Sequence, residues 1–202
     1  MSLLIKNGAI VTASDIYKGD IFIENEIIKE IGLNINKIAD EVIDTLKSGW
    51  ITTGPKTKKF ENDITSYCGS AKTVCLSSAT TSLEMTLRIL GIGKGDEVIV
   101  PAYTYTASCS VICHVGATPV IVDSQTDSVE MDYDLMADAI SEKTKAIIPV
   151  DIAGILCDYD KIFEVVEDKK ELFNPNSDLQ KIFNRIIVIA DCAHGFGAEK
   201  NN

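Results

Sequence analysis

From residue 73 onward the chain alternates two kinds of segment, and that alternation leaves few folds open to it. Thr73–Ser78, Glu97–Pro101, Thr118–Asp123, Thr144–Val150 and Ile186–Asp191 are short, β-rich and largely apolar. Between them, Leu83, Leu87 and Leu90 mark one face of a helix closed by Gly91. Tyr133, Met136, Ala137 and Ile140 recur at helical spacing, and Tyr159–Val166 reads as another helix. A strand without a polar face must be covered on both sides, and amphipathic helices are what cover it. The expectation is a three-layer α/β domain with a mostly parallel sheet. Ahead of it, Ile38, Val42, Ile43 and Leu46 give a helical stripe ending near Ser48-Gly49. Glu171–Lys181, which carries Asn174-Pro-Asn-Ser177, reads as a surface loop.

The first 36 residues follow a different rule. Leu3–Ile5, Ala9–Thr12 and Asp20–Glu24 read as three short strands, with Glu26–Ile31 as a further one. Asn7-Gly8 and Tyr17-Lys-Gly19 supply turn chemistry. The pattern shifts after Asn36, so the division drawn is 1–36 and 37–202. Leu4-Ile-Lys-Asn-Gly-Ala-Ile-Val-Thr12, Gly19-Asp-Ile-Phe-Ile-Glu24 and Ile28-Lys-Glu-Ile-Gly32 resemble the N-terminus of hydantoinases and dihydropyrimidinases. In that family this segment belongs to a small β-sandwich. The His-x-His metal pair of the family's catalytic barrel does not occur here, so its hydrolase chemistry is not expected.

Composition narrows the partners. Nineteen basic against thirty acidic residues give a formal charge of −11, with no basic stripe to attract nucleic acid or an anionic membrane. No apolar run is long enough to span a bilayer, and Leu3-Leu-Ile5 is too short for a signal-peptide core. The six cysteines contain no C-x-x-C pair, and most sit in apolar runs, so they read as buried, reduced thiols of a cytoplasmic protein. Cys109 and Cys113 stand at i,i+4 beside His114. A zinc site there would need further ligands, and the reading taken is a small-residue helix face with no metal.

Six motifs then occur in order: Ser48-Gly-Trp-Ile-Thr-Thr-Gly-Pro55, Ser77-Ser-Ala-Thr80, Gly93-Lys-Gly-Asp-Glu-Val-Ile-Val-Pro101, Tyr103-Thr-Tyr105, Gly116-Ala-Thr-Pro-Val120 and Asp191-Cys-Ala-His194. The series resembles that of the DegT/DnrJ/EryC1/StrS aminotransferases, enzymes that use pyridoxal 5′-phosphate (PLP) to aminate keto sugars on nucleotide carriers. The resemblance implies part of a fold-type I PLP-transferase large domain. It also implies glutamate and a nucleotide sugar as substrates in surface polysaccharide biosynthesis, and a homodimer.

Each motif also has a local reading. Ser77-Ser-Ala-Thr-Thr-Ser82 lies where a strand gives way to a helix. Free amides there bind phosphate, although Ser and Thr are equally at home as helix caps. The resemblance assigns the PLP phosphate to Ala79 and Thr80. Tyr105 reads locally as a core aromatic at a helix start, and by resemblance stacks on the pyridine ring. Asp191 follows an aliphatic strand, where ligands bind in open α/β sheets. A buried carboxylate needs a cationic partner, and the protonated pyridine nitrogen is one. Its alternative is a cap on the next turn. His194 matches a family His or Gln near the cofactor, or is an ordinary core histidine. Asp151 departs from the His or Asn of many relatives.

The family's Schiff-base lysine lies in a Ser-Phe-His-x-x-Lys stretch, which does not occur in residues 1–202, so no catalytic residue is assigned. Lys200 sits in a polar tail. The expectation is that this chain alone is inactive, with a non-catalytic fusion or remnant acting as a binding module as the alternative.

Overall fold

Residues 2–11, 16–37, 39, 41–44 and 53–199 are described in the computed structural model, and they fall into two units that divide between Cys75 and Leu76. The first unit holds β1 (Ser2–Val11), β2 (Ile16–Glu24), β3 (Ile27–Gly32) and β4 (Glu41–Asp44), in the order β3-β2-β1-β4. The first three pair antiparallel, and β4 runs parallel to β1. Leu4, Phe22 and Ile35 form its small core.

Three expectations fail in this unit. Leu3–Ile5 and Ala9–Thr12 are not separate strands. Through Val11 they are one, irregular between Ile5 and Gly8, with Asn7 at φ 56° in the bulge rather than in a turn. Thr12 lies outside the described residues. The Asn7 amide donates to the buried Asp20 carboxylate at 2.8 Å, and the Ile35 amide donates to its other oxygen at 2.9 Å. Tyr17-Lys-Gly19 is likewise inside β2. Gly19 serves a close approach there, since a Cβ on it would stand 2.8 Å from Ile10 Cδ1. The hairpin turn falls instead on Asn25-Glu26, both at positive φ (51° and 65°), as a two-residue loop of the primed type requires. The third failure is the stripe through Val42 and Ile43, which is strand: these residues pair with Leu4 and Ile5. Two adjacent β-branched residues favour a free strand edge over a helix. Ile38 and Leu46 lie outside the described residues, as do Ser48–Thr52 of the first motif and Lys200.

The unit also contains α1 (Pro55–Cys68), which apolar periodicity does not reveal because the helix buries no residue. Its punctuation does: Pro55 opens the first turn, and Gly69 closes the helix at φ 61°. Thr73–Ser78, expected as a strand, makes no ladder with any described strand. Side chains hold it instead. The Cys75 amide donates to Glu61 Oε1 (2.9 Å) and Thr65 Oγ1 to Thr73 Oγ1 (2.8 Å), while Val74 remains 67% exposed.

The second unit is the expected three-layer α/β structure. Its strands β5 (Glu97–Pro101), β6 (Thr118–Val122), β7 (Thr144–Ile147) and β8 (Ile187–Val188) are all parallel, in the order β6-β5-β7-β8. Alternate residues of β5 face opposite layers. Val98 and Val100 pack with Leu83 and Leu87 of α2 (Ala79–Ile89) and Val111 and Ile112 of α3 (Thr106–His114). Ile99 packs with Met136 of α4 (Tyr133–Ala139) and with Ile162 and Val166 of α5 (Tyr159–Asp168). The strand order reverses at β5, and open α/β sheets bind ligands outside the carboxyl ends of their strands at such a reversal.

Glu171–Lys181 is more than a surface loop. It runs into α6 (Asp178–Phe183), capped by Ser177. Asn-Pro-Asn-Ser is a helix start here, and Gln180 is fully buried with its Nε2 donating to Leu90 O at 2.9 Å. The cysteines are free, and Cys157 is buried. Cys68, Cys113 and Cys192 are exposed, and Cys75 and Cys109 half-buried. The expectation of mostly buried thiols fails because neighbours in an apolar run can face opposite ways, as exposed Val74 shows beside Cys75.

Candidate functional site

A pocket of about 250 Å3 lies between the first turns of α2 and the segment that leaves β8. Ala79, Ser82 and Leu83 line one side, and Ala190, Asp191, Cys192 and Ala193 the other. The α2 side is built as an anion seat. Ser78 caps the helix by accepting from the Thr81 amide at 3.1 Å. The amides of Ala79 and Thr80 keep no acceptor among the described residues, as first-turn amides do. They stand at the positive end of the helix dipole.

The opposite side carries a carboxylate held by both its backbone and its side chain. The Asp191 amide donates to Pro149 O (2.9 Å), and its carbonyl accepts from the Asp151 amide (3.1 Å), extending the β7–β8 pairing. Asp191 is half-buried. Its Oδ2 accepts from the Ser108 hydroxyl at 2.9 Å and its Oδ1 from the Ala193 amide at 3.3 Å.

Beneath this turn lies a second carboxylate. Asp151 is 1% exposed and accepts from the Cys157 amide at 3.0 Å and from the Tyr159 hydroxyl at 3.0 Å to each oxygen. The Cys192 thiol bonds to it as well. Although Cys192 is exposed as a residue, its thiol is turned inward, and desolvation of that thiol first, and then Asp151, push it up to about 12. Burial with the Asp151 and Glu130 charges does the same to Cys157, also to about 12. Tyr159 too is raised above its ordinary value, chiefly by burial. The turn packs so closely over Asp151 that a Cβ on Gly195 would stand 2.8 Å from Asp151 Cβ.

The residues singled out from sequence divide as follows. Ala79 and Asp191 line the same pocket, and Thr80 sits in the same helical turn as Ala79. Tyr105 is at the amino end of α3, three residues before Ser108, and is 80% exposed rather than a core aromatic. His194 is exposed, not a core histidine, and its Nδ1 lies 3.2 Å from the Ala153 amide, which donates to it. In the neutral ring that puts the proton on Nε2, free to donate outward. Neither Tyr105 nor His194 lines the pocket itself. Nor does any lysine, among the described residues. Ser108 was not legible in the sequence, because nothing local marks a hydroxyl whose partner is 83 positions away.

The arrangement is dipolar: the first turn of α2, with Ala79 in the lining and Thr80 beside it, borders one side of a small pocket, and a carboxylate borders the other. It suits a ligand that carries an anionic group and a protonated nitrogen a short distance apart, and PLP has both. The donor set therefore fits that cofactor.

Comparison with known proteins points to one family. The model of the DegT/DnrJ/EryC1/StrS aminotransferase family matches residues 33–202. A UDP-4-amino-4-deoxy-L-arabinose–oxoglutarate aminotransferase of Shewanella sediminis is 42% identical over 158 residues, which are 78% of this chain and 37% of that protein. The spore coat polysaccharide biosynthesis protein SpsC of Bacillus subtilis is 38% identical over 128 residues, covering 63% of this chain and 33% of its own length. Among solved structures, Spr1654 of Streptococcus pneumoniae, named as a sugar aminotransferase and solved in its PLP form, is 63% identical with a TM-score of 0.75. That match covers 76% of this chain and 39% of the other. The chain thus spans well under half the length of these relatives.

Proposed function

Because the chain belongs to the DegT/DnrJ/EryC1/StrS aminotransferase family, we propose that its pocket is a pyridoxal 5′-phosphate site of a sugar aminotransferase. The α/β unit is part of the fold-type I large domain. The observation that carries the site assignment is the meeting of the first turn of α2, through Ala79, and Asp191 in one pocket.

When bound, the cofactor supplies an electron sink for the carbon that gains or loses the amino group. The chain's own residues do the rest. Ala79 and Thr80 bind phosphate through backbone amides, reinforced by the helix dipole. Asp191 holds positive charge at the ring nitrogen. Tyr105 offers a flat face against a ring and sheds water in doing so. His194 donates from Nε2 to an oxygen of the cofactor or substrate.

In the whole protein the reaction we propose is transfer of an amino group from glutamate to a keto nucleotide sugar, for polysaccharide biosynthesis. Homodimerisation and a cytoplasmic location are part of the same proposal. The polypeptide 1–202 by itself holds the cofactor without a covalent bond and does not turn over, since no lysine lines the pocket among the described residues. A second reading, a non-catalytic fusion whose first 36 residues derive from a hydantoinase-like start, draws support from the change of pattern at Asn36 and from the antiparallel β1–β2–β3 sheet.

Titration of the chain with PLP and with pyridoxal, which lacks the phosphate, separates the readings. The expected result is saturable PLP binding, with pyridoxal and the Asp191→Asn variant each about tenfold weaker or more. Equal affinity for PLP and pyridoxal would remove the phosphate seat. No binding of either favours the non-catalytic reading. Borohydride treatment of the PLP complex should label no single lysine stoichiometrically.

A further inference from the structure

Asp191 does not act alone in the structure. Ser108 Oγ donates to Asp191 Oδ2 at 2.9 Å, and Thr104 Oγ1 lies 2.9 Å from the same Ser108 oxygen. A hydroxyl has one proton, and an ionised carboxylate only accepts. The Ser108 proton is therefore committed to Asp191, and Thr104 has to donate to Ser108. The order Thr104 to Ser108 to Asp191 follows from this count alone.

Two further facts argue that this hydroxyl is placed for Asp191 rather than left over from packing. Ser108 is 0% exposed, so its hydroxyl has given up water entirely. A serine inside a helix ordinarily returns its hydroxyl to the carbonyl one turn back, as Ser82 does to Ser78 O at 3.1 Å. Ser108 instead spends it across 83 positions of sequence, on the residue that lines the pocket. With Oδ2 held, the carboxylate cannot turn freely about its last bond. Oδ1, whose other contact is the longer 3.3 Å bond from the Ala193 amide, is left to meet a cationic N–H.

We propose that Ser108, oriented by Thr104, is a positioning residue that holds the Asp191 carboxylate in the rotamer that receives a protonated ring nitrogen. This rests on the cofactor reading of the pocket given above. The role is to orient an acceptor, so it should show in binding of a ligand with a protonated ring nitrogen whether or not catalysis occurs.

The test is binding of pyridoxamine 5′-phosphate, which has no aldehyde and so cannot form a bond to any lysine. It is followed by fluorescence titration of the 202-residue chain. Ser108→Ala is expected to bind about tenfold more weakly than wild type, the size expected when a hydrogen bond to a charged group is lost. Ser108→Thr, which keeps the hydroxyl, is expected to restore most of the affinity. In an Asp191→Asn background the Ser108→Ala change should have almost no further effect, because its partner is already altered. Thermal melts by circular dichroism accompany each variant, and only variants that melt cooperatively are compared.

Wild-type affinity in Ser108→Ala would overturn the proposal. So would a loss in Ser108→Thr equal to that in Ser108→Ala, or an undiminished Ser108→Ala penalty in the Asp191→Asn background. If Ser108→Ala does not fold, the Ser108→Thr and Thr104→Val variants decide: Thr104→Val should weaken binding, and unchanged affinity overturns the role of the chain of hydroxyls. Failure of wild type to bind pyridoxamine 5′-phosphate would sink the cofactor reading and the positioning role together, whereas binding with insensitive variants would sink only the latter.

Discussion

Asp151 and Asp191 are neighbours across the β7–β8 extension, yet their surroundings give them different work. Asp151 is enclosed by a tyrosine hydroxyl, a backbone amide and a thiol, with no opening to solvent. Asp191 faces a pocket. The enclosure of Asp151 has a consequence in alkali. Cys157 and Cys192 stay protonated in the folded chain up to about 12, against 9.0 as the ordinary value. The unfolded chain releases these protons first, so their contribution to stability is whole below about pH 9 and is lost as pH rises towards 12. The raised Tyr159 adds to the same trend. The urea midpoint should therefore fall between about pH 8 and pH 10.5. A flat profile would mean that the two thiols are not withdrawn from water in the folded chain.

Among the elements, the β2–β3 hairpin and α6 make opposite predictions. Glu26 stands at φ 65° in a two-residue turn, a conformation that costs a side chain about 1 kcal/mol. Glu26→Gly should remove that strain and raise the stability of the first unit by about 0.5–1 kcal/mol. A loss of stability in chemical denaturation would show that the Glu26 side chain contributes more than its backbone strain costs. In α6, the fully buried Gln180 donates to Leu90 O and accepts from the Asn176 amide at 3.0 Å. Gln180→Ala takes one of its two donors from Leu90 O, which keeps the Ser177 hydroxyl at 2.7 Å, removes the acceptor of the Asn176 amide and empties a fully buried site, and should cost about 1–3 kcal/mol in the same measurement. A change under about 0.5 kcal/mol would place α6 outside the cooperative core. These elements also show where pattern reading succeeds. The helix through Leu83, Leu87 and Leu90 was legible because its buried residues repeat at helical spacing. Helix α1 was not, because it buries nothing, and only Pro55 and Gly69 mark its ends.

At the scale of the molecule, the two units differ sharply in what holds them. Among the described residues, the first has a buried cluster of Leu4, Phe22 and Ile35. The second has two clusters, one on each face of a parallel sheet. Local opening follows buried apolar contact, so amide exchange should be slowest in Val98–Val100 and Ala146–Ile148 and faster throughout β1–β3. Hydrogen exchange read by mass spectrometry checks this, and slower exchange in β1–β3 than in β5 and β7 would reverse the ranking.

The fold class of the second unit, its sheet of parallel strands and the places of Ala79 and Asp191 at element ends were determined by sequence alone. All three depend on what a residue does to its immediate neighbours: apolar runs need cover, and helix starts and strand ends carry free polar groups. Only the tertiary structure decided that Val42 and Ile43 join a strand, that Thr73–Ser78 has no ladder partner, that Gln180 is buried and that Ser108 holds Asp191. Each of these turns on a partner far away in sequence. A strand exists only when another strand's edge is available, and a hydroxyl's acceptor is chosen by which group the fold brings within hydrogen-bonding distance. Neither can be read from the residues on either side.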